Sequence, residues 1–245
     1  MRRYGLIGYP LGHSFSQPFF TEKFKKEGIP DCVYQNFPIP EIALLKEILA
    51  SHTDLAGLNV TIPYKEQVIP FLHHMEPVVK SIGACNCIRI ENGELTGFNT
   101  DVLGFERSLN EFLQPSHRKA LVLGTGGAAK AICYVLEQKD IDYLIISRNP
   151  SAANQRSYEQ VTPAIIDEYT LIVNTTPVGM YPKEDAWPAL PYEAMNAKHY
   201  LYDLVYNPAK TQFLQRGEAQ GAAIKNGMDM LVIQAEESWR IWNEK

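Results

Sequence analysis

Short apolar runs that suit buried strands alternate along this chain with longer stretches of helical period, which is the pattern of an α/β protein with a largely parallel sheet. Within residues 1–100, RRYGLIGY, CVYQNFPI and LAGLNVTI read as strands, and helices are expected near Gln17 to Glu27 and Pro40 to Ser51. The run KEQVIPFL after Pro63 predicts a further helix, interrupted at Pro70. Cys87 to Ile90 and Leu95 to Phe98 flank Asn92-Gly93, a pair that tolerates the positive φ of a two-residue hairpin turn. From Asp101 the segment VLGFERSLNEFL predicts a helix and QPSHRK a loop. TLIVNTT and HYLYDLVY then read as further strands, with crossover helices expected in the polar stretches between, and MDMLVIQAEESWRIWNEK closes the chain as an amphipathic helix.

Between that loop and TLIVNTT the order is strand, glycine loop, helix, strand: KALVLG, TGG, AAKAICYVLEQ, DYLIISR. This is the opening of a Rossmann unit. Gly124, Gly126 and Ala129 fill its small positions, with Gly127 and Ala128 beside them. Small residues there let backbone amides approach a pyrophosphate, and the helix amino end adds partial positive charge. Where an NAD-binding unit places an acid against the ribose, the second strand ends in Arg148. A guanidinium attracts a 2'-phosphate through charge-assisted hydrogen bonds, so NADP is the expected cofactor, with Ser147 and Asn149 adding neutral contacts.

Composition narrows the partners. The 245 residues are 45% hydrophobic and 21% charged, with net charge -5, so no broad basic face is present for nucleic acid or an anionic membrane. No apolar run approaches a membrane span, and the start MRRYGLIGYPLGHS is too short in apolar residues for a signal-peptide core. Cys32, Cys85, Cys87 and Cys133 fit neither a redox pair nor a zinc ligand set, and are expected to be reduced thiols in a cytoplasmic protein with no metal.

Two further positions carry chemistry. Lys65 ends LNVTIPYK and Asp101 ends GFNTD, and Asn59 and Thr61 alternate on the strand before Lys65, so both project from one face. An amine and a carboxylate beside a dinucleotide cradle are the parts that move a proton together with a hydride.

The segments GYPLGHSFS, NVTIPYK, GACNC, GFNTD, GTGGAAKA, ISRN, NTTPVGM, YDLVYNP and NGMDMLVIQA, in this order, resemble the shikimate dehydrogenase family over nearly the whole chain. The resemblance implies a two-domain α/β protein. Residues 1–100, completed by the helix of residues 228–245, would form a substrate-binding domain, and residues 101–227 a Rossmann-type NADP-binding domain. It implies reversible NADPH-dependent reduction of 3-dehydroshikimate to shikimate, in aromatic amino acid biosynthesis. Ser14, Ser16 and Tyr206 would bind the substrate carboxylate, while Asn59, Thr61, Asn86, Asp101 and Gln234 would hold ring hydroxyls. Lys65, hydrogen-bonded with Asp101, would give and take the proton. Asn174, Thr175, Thr176, Gly227 and Met230 would line the nicotinamide side, with Met228 nearby, and His13 would be structural or a minor contact. A monomer and a homodimer are both compatible with it. A quinate/shikimate dehydrogenase using NAD is the alternative, against which Arg148 speaks; a dinucleotide-sensing regulator is opposed by the intact Lys65, Asp101, Asn86 and Gln234. Two departures stand out: Gln17 intervenes between Ser16 and Pro18, and no second arginine follows Arg148 before Arg156.

Overall fold

The structure, a computed structural model, describes residues 1–12 and 14–244. His13, given a minor role above, lies outside the described residues, as does Lys245. The chain divides into two compact units, residues 1–100 with 235–245, and residues 101–234. The division falls inside the last helix, which the resemblance assigns whole to the first domain.

In the first unit the strands are β1 (Arg2–Gly8), β2 (Cys32–Pro38), β3 (Leu55–Val60), β4 (His74–Met75), β5 (Cys87–Glu91) and β6 (Glu94–Phe98), ordered β2-β1-β3-β5-β6-β4. Pairs β1/β2, β1/β3 and β4/β6 are parallel, whereas β3/β5 and β5/β6 are antiparallel. β1 lies inside the sheet, between β2 and β3, and all its residues from Tyr4 to Gly8 are buried, as expected for a strand covered on both faces. Asn92 and Gly93 turn the β5/β6 hairpin with φ of 52° and 82°, the left-handed values that the dipeptide predicts. Helices α1 (Ser16–Lys26), α2 (Leu45–Ser51) and α3 (Pro77–Ile82) complete the unit, together with the end of the last helix.

The second unit contains α4 (Thr100–Leu109), which starts one residue before it, then β7 (Lys119–Leu123), α5 (Gly127–Gln138), β8 (Asp142–Ile146), β9 (Gln155–Arg156), α6 (Pro163–Glu168), β10 (Leu171–Asn174), β11 (Tyr200–Asp203), α7 (Gln212–Ala219) and β12 (Ala223–Lys225). Its sheet is β12-β11-β10-β7-β8-β9, parallel throughout. The buried runs of β7, β10 and β11 explain why they read as uninterrupted apolar segments. The last helix is α8 (Met228–Asn243). No helix among the described residues is long and apolar enough to cross a membrane.

Two expectations on local structure fail. The helix expected over KEQVIPFL is a series of turns ending in a 3₁₀ turn at Ile69–Phe71. Pro63 and Pro70 donate no backbone hydrogen bond, and the single α-type bond, Val68 N to Tyr64 O at 2.9 Å, closes one turn without propagating. Between β10 and β11 the expected crossover helix is replaced by irregular chain and a 3₁₀ turn at Tyr192–Ala194. Pro177, Pro182, Pro188 and Pro191 punctuate that stretch, and Gly179 takes a φ of 88°.

The end of α8 seals the first unit's aromatic core. Trp242 stacks on Tyr4 with ring centroids 4.8 Å apart, and its indole Nε1 donates to the Ile88 carbonyl at 3.0 Å. Phe20, in turn, stacks on Tyr34 at 4.5 Å. This packing dictates Gly57, because a Cβ there would stand 2.3 Å from Trp242 Nε1. Gly57→Ala is therefore expected to cost about 1–3 kcal/mol of stability, the usual penalty for forcing extra volume into a filled core. Urea unfolding followed by tryptophan fluorescence checks it, and an unshifted midpoint would mean that the indole can move aside.

Candidate functional site

Each unit presents its own polar cluster. In the second unit the sheet grows from β7 first through β8 to β9, then from β10 on the other side, so chain order reverses between β7 and β10. Ligands of open parallel sheets bind beyond the strands' carboxyl ends at such a reversal. The residues singled out in sequence stand there: Gly124 to Ala129 after β7, Ser147 to Asn149 after β8, Asn174 to Thr176 around the end of β10, Tyr206 after β11 and Gly227 after β12.

The glycine loop fits a pyrophosphate on structural grounds. Gly124 has a φ of 110° and would place a Cβ 2.7 Å from Thr175 Oγ1, so neither its backbone nor its surroundings admit a side chain. Gly126 caps α5 without a side-chain hydrogen bond, which leaves the helix amino end to an outside anion, and its own Cβ position is open to a depth of 4 Å. Beyond β8, Ser147 Oγ accepts the Asn149 amide at 3.2 Å and turns the chain. Arg148 is exposed there, and its charge faces Tyr158, whose phenol burial pushes up and Arg148 partly restores. Arg156, the nearest second arginine, is engaged by the Ala153 and Gln155 carbonyls at 2.9 and 2.7 Å.

One carboxylate beneath this edge is not among the residues that the sequence singles out. Asp203, fully buried at the end of β11, accepts the Val205 amide and Asn174 Nδ2, each at 3.0 Å, and the Thr211 hydroxyl at 2.6 Å. Burial raises its pKa to about 6, against the lowering effect of these donors. The signal is present in sequence as the one acid inside the apolar run HYLYDLVY. Nearby, Tyr206 is half-buried, which raises its phenol pKa. On α8, Met230 is buried with its carbonyl against Gly104, whereas Met228 is 36% exposed; Gln234 is buried and donates to the Leu231 carbonyl at 3.0 Å. Asp101 is buried in the first turn of α4.

In the first unit a buried polar network joins the ends of β3 and β5 to the last helix. Asn59 Oδ1 accepts the Tyr34 hydroxyl at 2.9 Å, and its Nδ2 donates to Ser238 Oγ at 2.9 Å. Asn86 Oδ1 accepts the Thr100 amide at 2.7 Å, and its Nδ2 donates to Thr100 Oγ1 at 3.0 Å. The structure thus brings Asn59 and Asn86 together with Thr100, adding Tyr34 and Ser238 as partners that sequence did not name. Burial drives the Tyr34 phenol pKa up, with Ser16 as the opposing hydrogen-bond partner. Thr61 follows β3, its amide bonded to Ile7 O at 3.0 Å and its methyl filling the space that a Gly8 side chain would need. Ser14 Oγ is buried with no hydrogen-bond partner among the described residues, which fits a hydroxyl kept for an outside acceptor. Lys65 is half-buried, and its carbonyl accepts the Cys85 amide at 2.7 Å.

Comparison with known proteins agrees with this arrangement. A family model described as the shikimate dehydrogenase substrate binding domain matches residues 6–88, inside the first unit. The NADP(+) shikimate dehydrogenase of Methanosphaera stadtmanae is 34% identical, over 98% of this chain and 91% of that protein. The chain belongs to the shikimate dehydrogenase family. The resemblance seen in the sequence is thereby confirmed, and with it the family's architecture of an N-terminal α/β substrate domain and a Rossmann-type NADP-binding domain. Among solved structures of the family, shikimate 5-dehydrogenase from Listeria monocytogenes, in complex with shikimate and NAD, has a TM-score of 0.88 at 29% identity, covering 100% of this chain and 92% of that one. Quinate dehydrogenase from Corynebacterium glutamicum, in complex with NAD, also has a TM-score of 0.88, at 26% identity over 99% and 93% of the two chains.

Proposed function

We propose that this chain is an NADP-dependent shikimate dehydrogenase, an oxidoreductase that reversibly reduces 3-dehydroshikimate to shikimate in the chorismate and aromatic amino acid pathway. The observation that carries the reading is the carboxyl edge of the second sheet, where an uncapped helix amino end and an exposed Arg148 follow adjacent strands. That pairing suits a pyrophosphate and a 2'-phosphate together. Gly124, Gly126, Gly127, Ala128 and Ala129 would hold the pyrophosphate, Ser147, Arg148 and Asn149 the phosphorylated ribose, and Asn174, Thr175, Thr176, Gly227 and Met230 the nicotinamide side. Bound there, NADPH supplies the hydride.

The remaining roles fall to this chain's own side chains. Ser14, Ser16 and Tyr206 would take the substrate carboxylate, for which the Ser14 hydroxyl, buried with no partner among the described residues, is suited. Asn59, Thr61, Asn86, Asp101 and Gln234 would shape the pocket for the ring hydroxyls, with Asn59 and Asn86 held rigid by the network around Ser238 and Thr100. Charge builds on the carbonyl oxygen as hydride arrives. Lys65, as an ammonium, would stabilise that charge and then deliver its proton; in the oxidative direction the neutral amine would take the proton back. Asp101 would orient the amine. The free thiols of Cys32, Cys85, Cys87 and Cys133, with no disulfide among them, support a reducing, cytoplasmic setting.

A cofactor-by-substrate matrix tests the reading: shikimate or quinate, each with NADP or NAD, followed by absorbance of the reduced cofactor. Fastest turnover is expected with shikimate and NADP. Preference for quinate with NAD would transfer the chain to the quinate branch of its family, and no turnover in any cell would refute the enzymatic reading.

A further inference from the structure

We infer that Asp203 is a positioning residue for the cofactor-binding edge, acting through Asn174 on the turn that underlies the glycine loop. The inference rests on the cofactor assignment above and extends it to a side chain that would touch no ligand. Its basis is a chain of donors and acceptors that leads outward from one buried carboxylate. Asp203 Oδ1 accepts from Asn174 Nδ2 and from the Val205 amide, while Oδ2 accepts the Thr211 hydroxyl. Because Asp203 only accepts when ionised, it decides which end of the Asn174 amide faces it. The Asn174 oxygen is thereby turned to Thr176, where it accepts the backbone amide at 3.1 Å and the hydroxyl at 2.6 Å. Thr176 Oγ1 in turn accepts the Val178 amide at 3.3 Å.

That turn forms the floor of the loop. The Thr175 amide and hydroxyl both donate to the Leu123 carbonyl, at 2.9 and 2.6 Å, at the residue before Gly124. A Cβ on Gly124 would meet Thr175 Oγ1 at 2.7 Å and Thr176 Cγ2 at 3.0 Å, so any shift of the turn reaches the glycine directly. A second arm runs through Val205, whose carbonyl accepts the Gly227 amide at 3.3 Å. Gly227 itself would drive a Cβ to within 2.2 Å of the Leu204 carbonyl oxygen, so its place is set by the backbone that Asp203 ties down. Thr211 is the N-cap of α7, and its hydroxyl donates to Asp203 while accepting the Leu214 amide at 3.4 Å. One carboxylate therefore fixes the exits of β10 and β11 and, through Val205, the exit of β12. Packing alone does not require an acid at this place. A fully buried carboxylate is costly unless its acceptor capacity is used, and here three donors use it.

The test is NADPH binding, measured by calorimetric titration of the purified full chain, beside the KM for shikimate at saturating NADP. Asp203→Ala removes the shared acceptor of three donors and leaves Asn174 Nδ2 only a long bond, 3.5 Å, to the Val178 carbonyl. It is expected to raise the NADPH Kd by about 10- to 100-fold, the loss that accompanies removal of a charged hydrogen-bonding partner. The shikimate KM is expected to move less than about twofold, since the deleted contacts all lie beneath the cofactor edge. Asp203→Asn, whose amide oxygen can still accept from Asn174 and Val205 while Thr211 reverses its hydroxyl, is expected to recover most of the affinity. Thr176→Val, at the outer end of this chain of hydrogen bonds, also alters a residue assigned to the nicotinamide side, so it is read in combination: its loss of NADPH affinity is expected to be less than additive with that of Asp203→Ala. An NADPH Kd unchanged in Asp203→Ala overturns the inference, as does an equal loss of shikimate and NADPH affinity. If Asp203→Ala does not fold, Thr211→Val, which takes one donor from the carboxylate at a residue assigned no ligand contact, decides instead: a raised NADPH Kd supports the inference and an unchanged one overturns it. A wild-type chain that binds no NADPH refutes the cofactor assignment instead, before any variant is compared.

Discussion

Lys65→Ala is expected to lower kcat by about 10² to 10⁴, with little change in the KM for shikimate, because a general acid acts mainly in the transition state. The local backbone makes this substitution a clean one. The Lys65 carbonyl accepts the Cys85 amide, and the preceding Tyr64 is buried, with its hydroxyl donating to the Ile39 carbonyl at 2.6 Å. Neither anchor involves the lysine head group, so truncation keeps both while it removes the amine and its methylene stem. Steady-state rates in both directions check the proposal. If turnover stayed within a few-fold of the unmodified enzyme, the proton would have to come from another group, and Lys65 would leave the mechanism.

The second large effect concerns cofactor choice. Arg148→Ala is expected to reduce the preference for NADP over NAD by about 10- to 150-fold, the worth of a lost charge-assisted hydrogen-bond pair to phosphate, while leaving the shikimate KM nearly unchanged. The size of the effect follows from how this edge is furnished. Arg156 turns its Nη1 to the Ala153 and Gln155 carbonyls within its own turn, so in the proposed site Arg148 would carry the phosphate recognition at the end of β8. A ratio of kcat/KM values for the two cofactors, measured in the variant and the parent, gives the answer directly. Proportional loss with NAD and NADP would place the contribution of Arg148 in folding or in the pyrophosphate cradle.

What could be seen in the sequence was whatever depends on local rhythm and on residues with singular backbone behaviour. The doubly covered strands β1, β7, β10 and β11 declare themselves as apolar runs, Asn92-Gly93 as a turn and Gly124 to Ala129 as a loop before a helix. The same reasoning overreached where prolines compete with helical period, at Lys65 to Leu72 and between β10 and β11. Short strands such as β4, β9 and β12 were invisible, because two or three residues carry no period and owe their existence to the neighbours they pair with. The candidate site divided in a similar way. Side chains next to glycine or after a strand could be picked out, whereas Asp203 and Ser238 matter through partners distant in the chain, Asn174 and Asn59, and only coordinates reveal such pairs.

The sealing of the aromatic core by Trp242 carries a consequence for biosynthesis. A ribosome releases the first hundred residues long before it reaches the tryptophan that caps them, whereas residues 101–234 are contiguous and hold all the strands of their own sheet. The nascent N-terminal lobe must therefore wait, with Tyr4, Phe20 and Tyr34 partly uncovered, while the nucleotide-binding lobe is made, and the missing lid arrives only after that lobe is complete.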